Sequence, residues 1–293
     1  MSKPGMLREK LSSGGLLIAP GAYDGLTATL IGQAGFEAVY MTGAGTAGSL
    51  GYPDFGLVTM TEMVQNAARI NACVDVPVIA DADTGYGNEL NVVRTVQEFE
   101  RAGVAAIHIE DQEFPKKCGH LDDKQVIELD DYLSKIRAAA DARKNPDFTI
   151  IARTDARAVI GFEEAVARAN AALEAGADVA FVEAPQTMEE VRAVPKLVQG
   201  PCLLNVVHRG KTPEVDLGEA EAMGYRIAIL PTLLFRSVIG LCEELLRELK
   251  EKNAFPEPPG DLSPHEAFRR FGSDEWDRLR DKFNRRPPRE AAE

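Results

Sequence analysis

Short apolar runs alternate with longer amphipathic stretches along this chain. The runs are Leu16–Pro20, Ala38–Thr42, Pro77–Asp81, Ala105–Glu110, Phe148–Arg153, Val179–Glu183, Cys202–Val206 and Arg226–Pro231. Each has the length and near-continuous apolar character of a strand covered on both faces. Between them, segments such as Glu89–Ala102 and Phe162–Ala175 repeat their apolar residues at helical spacing. Several finish on a glycine stop signal, as at Ala34-Gly35, Ala102-Gly103, Ala175-Gly176 and Met223-Gly224. Strand–helix alternation predicts an α/β fold with a parallel sheet. Eight such units predict a closed (β/α)₈ TIM barrel.

Beyond the eighth run the pattern predicts a long helix over Leu233–Lys250, a Pro-rich link at Phe255–Pro264 and a second helical segment over His265–Phe283. The chain therefore divides into a catalytic barrel, residues 1–250, and a C-terminal helical arm and tail, residues 251–293. The arm carries the single tryptophan, Trp276, with Phe268, Phe271 and Phe283, an apolar set that needs a surface to pack on. The last stretch, Arg285–Glu293, reads as disordered.

Composition narrows the function. A chain of 293 residues that is 45% hydrophobic suffices for one large barrel. A net charge of −13 argues against a nucleic-acid partner, because no basic face can be assembled. It does not exclude a small anionic substrate, since a local pocket can oppose the global sign. No apolar run reaches membrane-spanning length, so no membrane partner is expected. The first residues, MSKPGMLREKLSSGG, lack the apolar centre of a signal peptide. Four cysteines without paired spacing read as reduced thiols of a cytoplasmic protein. Cys73, Cys202 and Cys242 lie in apolar runs and are expected as small core residues; Cys118 does not.

In such a barrel, catalytic groups sit at the C-terminal ends of the strands. That end of the runs carries Tyr40 and Thr42, Asp81 and Asp83, His108 and Glu110, Arg153 and Asp155, Glu183, and Asn205. Polar residues at the same end of most of the strands are hard to explain by packing. In DADTGYG, Asp81 and Asp83 alternate on an extended segment and can face one spot. With Glu110 and Asp54 they form a carboxylate cluster that needs a cation. Mg²⁺ suits it, with Mn²⁺ as substitute: it takes oxygen ligands and keeps several waters. Asp83 is the expected direct ligand, with Asp81, Asp54 and Glu110 behind water; the alternative is a solvated acidic rim. In FPKKCGH, Cys118 stands among Lys116, Lys117 and His120, which predicts a lowered thiol pKa and a reactive thiol, while Gly119 permits unusual backbone angles. Arg153 pairs either with an internal acid, Asp155 or Glu183, or with a substrate carboxylate; the sequence leaves both open. Thr42-Gly43-Ala44-Gly45 has the form of an anion-binding turn. His108 is a supporting group beside Glu110, and His208 and His265 are ordinary solvated or core histidines.

Together YMTGAG, DADTGYG, HIEDQ, KKCGH, IIARTDA, FVEAP and LLNVV, in order from Leu16 to Pro231, resemble the isocitrate lyase/phosphoenolpyruvate mutase superfamily. The resemblance implies a (β/α)₈ barrel whose last helix is exchanged with a neighbouring subunit in a homodimer or homotetramer. It also implies Mg²⁺ and a small 2-hydroxy or 2-oxo carboxylate as ligand. Its lyase members carry K-[KR]-C-G-H on a mobile loop, matched here by Lys116–His120. Methylisocitrate lyases typically continue H-R-P-N-K, whereas this chain reads His120-Leu121-Asp122-Asp123-Lys124, closer to dimethylmalate-lyase-like members. The resemblance thus implies retro-Claisen cleavage of a 2-alkylmalate, with methylisocitrate lyase, a carboxyphosphonoenolpyruvate-type phosphonomutase and an oxaloacetate-cleaving enzyme as alternatives. Cys118 is then the proton donor and Tyr40 assists removal of the hydroxyl proton. Thr42, Gly43, Ala44 and Arg153 hold carboxylates, and Glu183 and Asn205 orient substrate and metal shell. Cys118, Gly119 and His120 close over the substrate, with Gly119 as hinge.

Overall fold

The computed structural model describes residues 1–260 and 262–284. Every apolar run named above holds a strand: β1 (Leu17–Ala22), β2 (Val39–Met41), β3 (Val78–Asp81), β4 (Ala106–Glu110), β5 (Thr149–Thr154), β6 (Val179–Val182), β7 (Leu203–Asn205) and β8 (Ile227–Leu230). The strands pair in parallel in the order β6-β5-β4-β3-β2-β1-β8-β7. A bridge from Ala180 to Cys202 joins β6 to the start of β7 and closes the ring. This is a (β/α)₈ barrel.

Period-2 alternation positions the chemistry. Leu17, Ala19, Ile79, Ile151, Val179, Leu203 and Ile227 form one buried cluster that fills the barrel. The same side of each strand, continued toward its C-terminal end, carries Asp81, His108, Glu110, Arg153 and Asn205. The opposite face of the strands packs on the outer helices: Met41, Ala80, Ile107 and Ile109 share a cluster with Val92, Val96 and Phe99. Those three lie on the helix Glu89–Arg101, whose buried face is Val92, Thr95, Val96 and Phe99, an i, i+3, i+4, i+7 stripe. Asn88 caps the helix by accepting from the Leu90 and Asn91 amides, and Gly103 at φ +83° follows its end. Each such apolar side chain contributes about 1.5–3 kcal/mol on burial.

Several expectations change. A helix over Lys3–Ser13 was not anticipated. It buries only Leu7, which joins the interior cluster, and Lys3 Nζ holds the Asn71 and Val74 carbonyls at 2.6 and 2.5 Å. Cys73 and Cys242 are exposed rather than core residues; only Cys202 is buried. Cys73 is the C-cap residue of the helix Met60–Ala72.

The chain falls into two compact units, Met1–Ile239 and Gly240–Glu293, so the break lies inside the helix Leu233–Lys252. That helix has no buried residue, although Val238, Ile239, Leu241, Leu246 and Leu249 are apolar and exposed. The segment expected as one helix over His265–Phe283 is two, Pro264–Arg269 and Ser273–Phe283. Gly272 at φ +79° ends the first turn sequence and starts the second. Trp276, Phe268 and Phe283 are exposed. Arg285–Glu293, expected to be disordered, lie outside the described residues. Among the described residues no helix is long and apolar enough to cross a membrane.

Candidate active site

At the C-terminal mouth of the barrel, Tyr40, Thr42, Ala44, Asp54, Asp81, Cys118, Gly119, His120, Arg153, Glu183 and Asn205 line one cavity of about 40 Å³. That space holds a water or two, so the structure shows the site closed. A larger apolar cavity of about 620 Å³ lies between Val206–Val215 and Leu230–Ser237. It lacks the acid cluster and is not where the chemistry converges.

The acids are arranged unequally. Asp81 ends β3 and lines the cavity; its Oδ1 accepts from the Asp83 amide at 2.9 Å. Burial acts to raise its carboxyl, yet Lys116, Arg153 and the Asp83 amide hold it down at about 2. Asp83 lies beyond the strand at φ +47°, so a left-handed turn and not strand alternation sets its direction. It borders a smaller adjoining space with Gly43 and Asp54. Burial raises its carboxyl to about 6, with Asp81 and Asp54 adding to the rise. Lys116 Nζ sits between Asp54 Oδ1 (2.5 Å) and Asp83 Oδ1 (2.7 Å). Glu110 is fully buried. Its two oxygens accept no hydrogen bond, and Arg153 Nη1 makes a misaligned ionic contact 3.1 Å from Oε2. Gly43 is required by space, because a Cβ there would lie 2.4 Å from Asp81 Oδ2.

These residues fit a divalent cation. Asp54, Asp81, Asp83 and Glu110 outnumber Lys116 and Arg153, the cations set among them, and the Glu110 carboxylate oxygens lack donors. The buried Thr84 and Tyr86 hydroxyls are likewise unpartnered among the described residues. Buried polar atoms of this kind call for an ion and its waters. Among the described residues no three His, Cys, Asp or Glu are gathered so as to hold a metal ion by themselves.

The cysteine loop differs from its sequence reading in three ways. Lys116 is committed to Asp54 and Asp83 and does not lower the Cys118 pKa; burial, with Asp54 assisting, pushes the thiol up to about 11. Cys118 is therefore a protonated thiol, fitted to donate a proton and not to attack as a thiolate. Lys117 meets Gln112 through its backbone, N–H to Oε1 at 3.0 Å and carbonyl from Nε2 at 2.8 Å. Gly119 is not at positive φ. Its role is close approach, since a Cβ would lie 2.5 Å from Arg153 Nη2 and 2.7 Å from the Glu183 side chain. The Cys118 amide donates to the Asp54 carbonyl at 3.2 Å, which joins the loop to the acid cluster.

Arg153 takes the internal-acid option and keeps the other open. Its Nε donates to Asp155 Oδ2 at 2.9 Å, Glu183 lies at 3.8 Å, and the guanidinium lies over the Phe181 ring at 5.2 Å. It also lines the cavity. Asn205 Nδ2 reaches Glu183 at 3.2 Å and His120 Nε2 at 3.3 Å, and the Lys211 amide donates to His120 Nδ1 at 3.0 Å. Tyr40 Oη meets His108 Nε2 at 2.8 Å. Burial raises the Tyr40 phenol well above its ordinary range and lowers His108 to about 4, so both are neutral. Thr42 caps the helix Gly43–Ser49 through the Gly45 amide at 3.3 Å, and helix geometry leaves the Gly43 and Ala44 amides without intrahelical acceptors. Reading the sequence missed Val207, Pro231 and Thr232 as cavity walls and missed what Lys124 does. Pro231 and Thr232, just past β8, carried a position signal.

The model of the family described as phosphoenolpyruvate phosphomutase matches residues 7–250. The 2,3-dimethylmalate lyase of Eubacterium barkeri is 51% identical over 233 residues, 79% of this chain and 81% of that one. A 2-methylisocitrate lyase of Aeropyrum pernix is 47% identical, over 86% of this chain and 82% of its own. Among solved structures, oxaloacetate acetylhydrolase with the inhibitor 3,3-difluorooxalacetate superposes with a TM-score of 0.92 at 38% identity, covering 96% of this chain and 97% of that one.

Proposed function

The chain belongs to the phosphoenolpyruvate phosphomutase/isocitrate lyase superfamily, and from that membership we propose a Mg²⁺-dependent carbon–carbon lyase that cleaves a 2-alkylmalate to a 2-oxo acid and a carboxylic acid. The observation that carries the reading is the protonated Cys118 thiol enclosed with Asp81, Tyr40 and Arg153 in one cavity. A lyase needs a proton donor for the departing carbon; a phosphonomutase does not.

Lyases of this superfamily depend on a divalent metal, and Mg²⁺, with Mn²⁺ as substitute, supplies Lewis-acid polarisation of the substrate's 2-oxygen and C1 carboxylate when bound. Asp81, which faces the cavity, is the carboxylate best placed to hold it directly. Asp83, Asp54 and Glu110 support it through water, which revises the order expected from sequence. The Gly43 and Ala44 amides and Arg153 orient the two carboxylates. Tyr40 receives the 2-hydroxyl proton as it passes its own to His108 Nε2 at 2.8 Å; burial disfavours the imidazolium, and the Asp81 carboxylate 3.6 Å from Nε2 is the charge that supports it, while the raised Tyr40 pKa excludes a standing phenolate. The C2–O bond becomes a carbonyl, the C2–C3 bond breaks, and its electron pair moves into the departing carboxylate. Cys118 then protonates C3 from its S–H, and Arg153 stabilises the thiolate left behind. Asn205, Glu183 and His120 form the facing wall and fix the loop against it.

Substrate choice should follow charge. Leu121 stands where methylisocitrate lyases carry arginine, and Lys211 Nζ is held by Asp122 at 2.6 Å. A third carboxylate there meets Asp122 and Asp123, with Lys211 already paired to Asp122. We expect kcat/KM for 2,3-dimethylmalate to exceed that for 2-methylisocitrate by at least about tenfold, equivalent to about 1.4 kcal/mol. Assaying both side by side, with oxaloacetate and carboxyphosphonoenolpyruvate included, tests the assignment. A preference for 2-methylisocitrate would overturn the loop argument and leave the lyase reading intact.

We further propose a cytoplasmic homo-oligomer, dimer or tetramer, built by exchange of the helix Leu233–Lys252. Its exposed apolar residues favour burial against a second copy by about 1.5–3 kcal/mol each. Sedimentation should give a dimer or larger. The Ile239→Glu/Leu246→Glu pair, on one helix face, should shift it to monomer; a wild-type monomer at micromolar concentration would refute the assembly.

A further inference from the structure

The cysteine loop leaves and rejoins the barrel through a narrow neck. Gln112 bridges Val126, the Glu113 amide donates to the Gln125 carbonyl at 2.9 Å, and the Ile127 amide donates to the Asp111 carbonyl at 2.9 Å. Lys124 stands at that neck, yet its side chain is only 1% exposed. A buried ammonium is costly unless well paired, and this one has two partners. Its Nζ donates to the Gly119 carbonyl at 2.5 Å and to Asp155 Oδ1 at 2.6 Å.

The two acceptors belong to different bodies. Gly119 is in the loop, next to Cys118. Asp155 follows β5 and is anchored in the barrel: its amide donates to Asp111 Oδ1 at 2.8 Å, and Asp111 also accepts from Thr154 Oγ1 at 2.7 Å and Arg168 Nη1 at 3.1 Å. Asp155 is also the carboxylate that receives Arg153 Nε and Nη2, at 2.9 and 3.2 Å. If the loop opened, the Gly119 carbonyl would leave and the Lys124 ammonium would lose one of its two bonds without moving into water.

We propose that Lys124 is a positioning residue that seats Cys118: its buried ammonium ties the Gly119 carbonyl of the loop to Asp155, the carboxylate that also holds Arg153. One link thereby sets the proton donor and the carboxylate anchor together. Lys124 touches neither reacting atom; it acts through Cys118 and Arg153. Its charge also shares Asp155 with Arg153, so that the guanidinium is not consumed by that single acid.

The proposal rests on Cys118 as proton donor, and the test separates the two. In a Cys73→Ser/Cys242→Ser background, which removes the exposed thiols, Lys124→Met should lower kcat about 10²-fold, the scale of a misplaced catalytic group, with KM within about threefold. With saturating Mg²⁺ and oxalate as probes, iodoacetamide should modify Cys118 at least about tenfold faster than in the parent, because the seat is lost. In a Cys118→Ser background the same change should cost less than about threefold, the non-additivity of residues acting as one unit. Lys124→Arg keeps the charge and should fall between; it carries the test if Lys124→Met fails to fold. Lys124→Met with kcat and thiol protection within about threefold of the parent overturns the proposal. So does a parallel loss of stability, KM and kcat in both variants, the mark of a merely structural lysine. Failure of the Cys118 reading shows separately, as an active Cys118→Ser enzyme.

Discussion

Asp81→Asn is expected to lower kcat at least about 10³-fold, the several kcal/mol that a Lewis-acid cation supplies, and to abolish the Mg²⁺ binding isotherm in calorimetry. The substitution keeps the shape of the side chain and an oxygen that can accept the Asp83 amide, now at 2.9 Å, so the turn should survive. It removes a carboxylate that lines the cavity and is held down, at about 2, by Lys116, Arg153 and the Asp83 amide. Asp83→Asn should cost less, because that carboxyl borders the adjoining space and is spent on Lys116. Asp54→Ala should be milder still for metal binding, though it also frees Lys116. If Asp83→Asn lost the isotherm while Asp81→Asn kept it, the direct ligand would be Asp83, as the sequence alone suggested.

The proposed exchange of roles between Asp83 and Asp81 turns on what the sequence does not make legible. The eight strands were readable because strands buried on both faces are continuous apolar runs, and the polar residues at the ends of most of them betray the mouth of the barrel. Side-chain direction was not readable. Asp81 and Asp83 look equivalent as alternating residues until Asp83 turns out to lie past the strand in a left-handed turn. Lys116 and Lys117 sit beside Cys118 in sequence, but the extended loop sends Lys116 away to Asp54 and Asp83. Gly119 looked like a hinge and is instead a gap for Arg153 and Glu183, a distinction that depends on groups more than thirty residues away.

The helices show the same division. Glu89–Arg101 announces itself through a full buried stripe and a cap. Lys3–Ser13 buries Leu7 alone, so no apolar period marks it. Gly272 is passed over when His265–Phe283 is read as one helical segment, and its left-handed backbone splits that segment. Burial also decided the Cys118 pKa: local cations predicted a fall, but the closed loop removes water from the thiol and sets Asp54 beside it. Proximity in sequence is a poor guide to electrostatics when desolvation is the larger effect.

Cys118→Ser should lower kcat by about two to four decades, the range for loss of a general acid, while Mg²⁺ and oxalate still bind. Serine is nearly isosteric, so the loop can close, but its hydroxyl is a far weaker acid. The pH profile sharpens the test. A free cysteine titrates near about 8.5, whereas burial pushes Cys118 up to about 11 in the closed site. A folded pKa raised above the unfolded one means that the thiol's contribution to the closed state is fully present below about 8.5 and is lost as pH rises through about 11. The wild-type kcat should therefore show no loss attributable to Cys118 between about pH 7 and 9.5, the interval in which a thiol of ordinary pKa would have given up most of its proton. An alkaline limb near 8.5 that vanishes in Cys118→Ser would mean that catalysis proceeds with the thiol in water, from an open loop. An unchanged kcat in Cys118→Ser would remove the proton donor altogether, and the chemistry would then be that of a phosphonomutase or of an oxaloacetate-cleaving hydrolase, which turnover of carboxyphosphonoenolpyruvate or oxaloacetate by the same variant would distinguish.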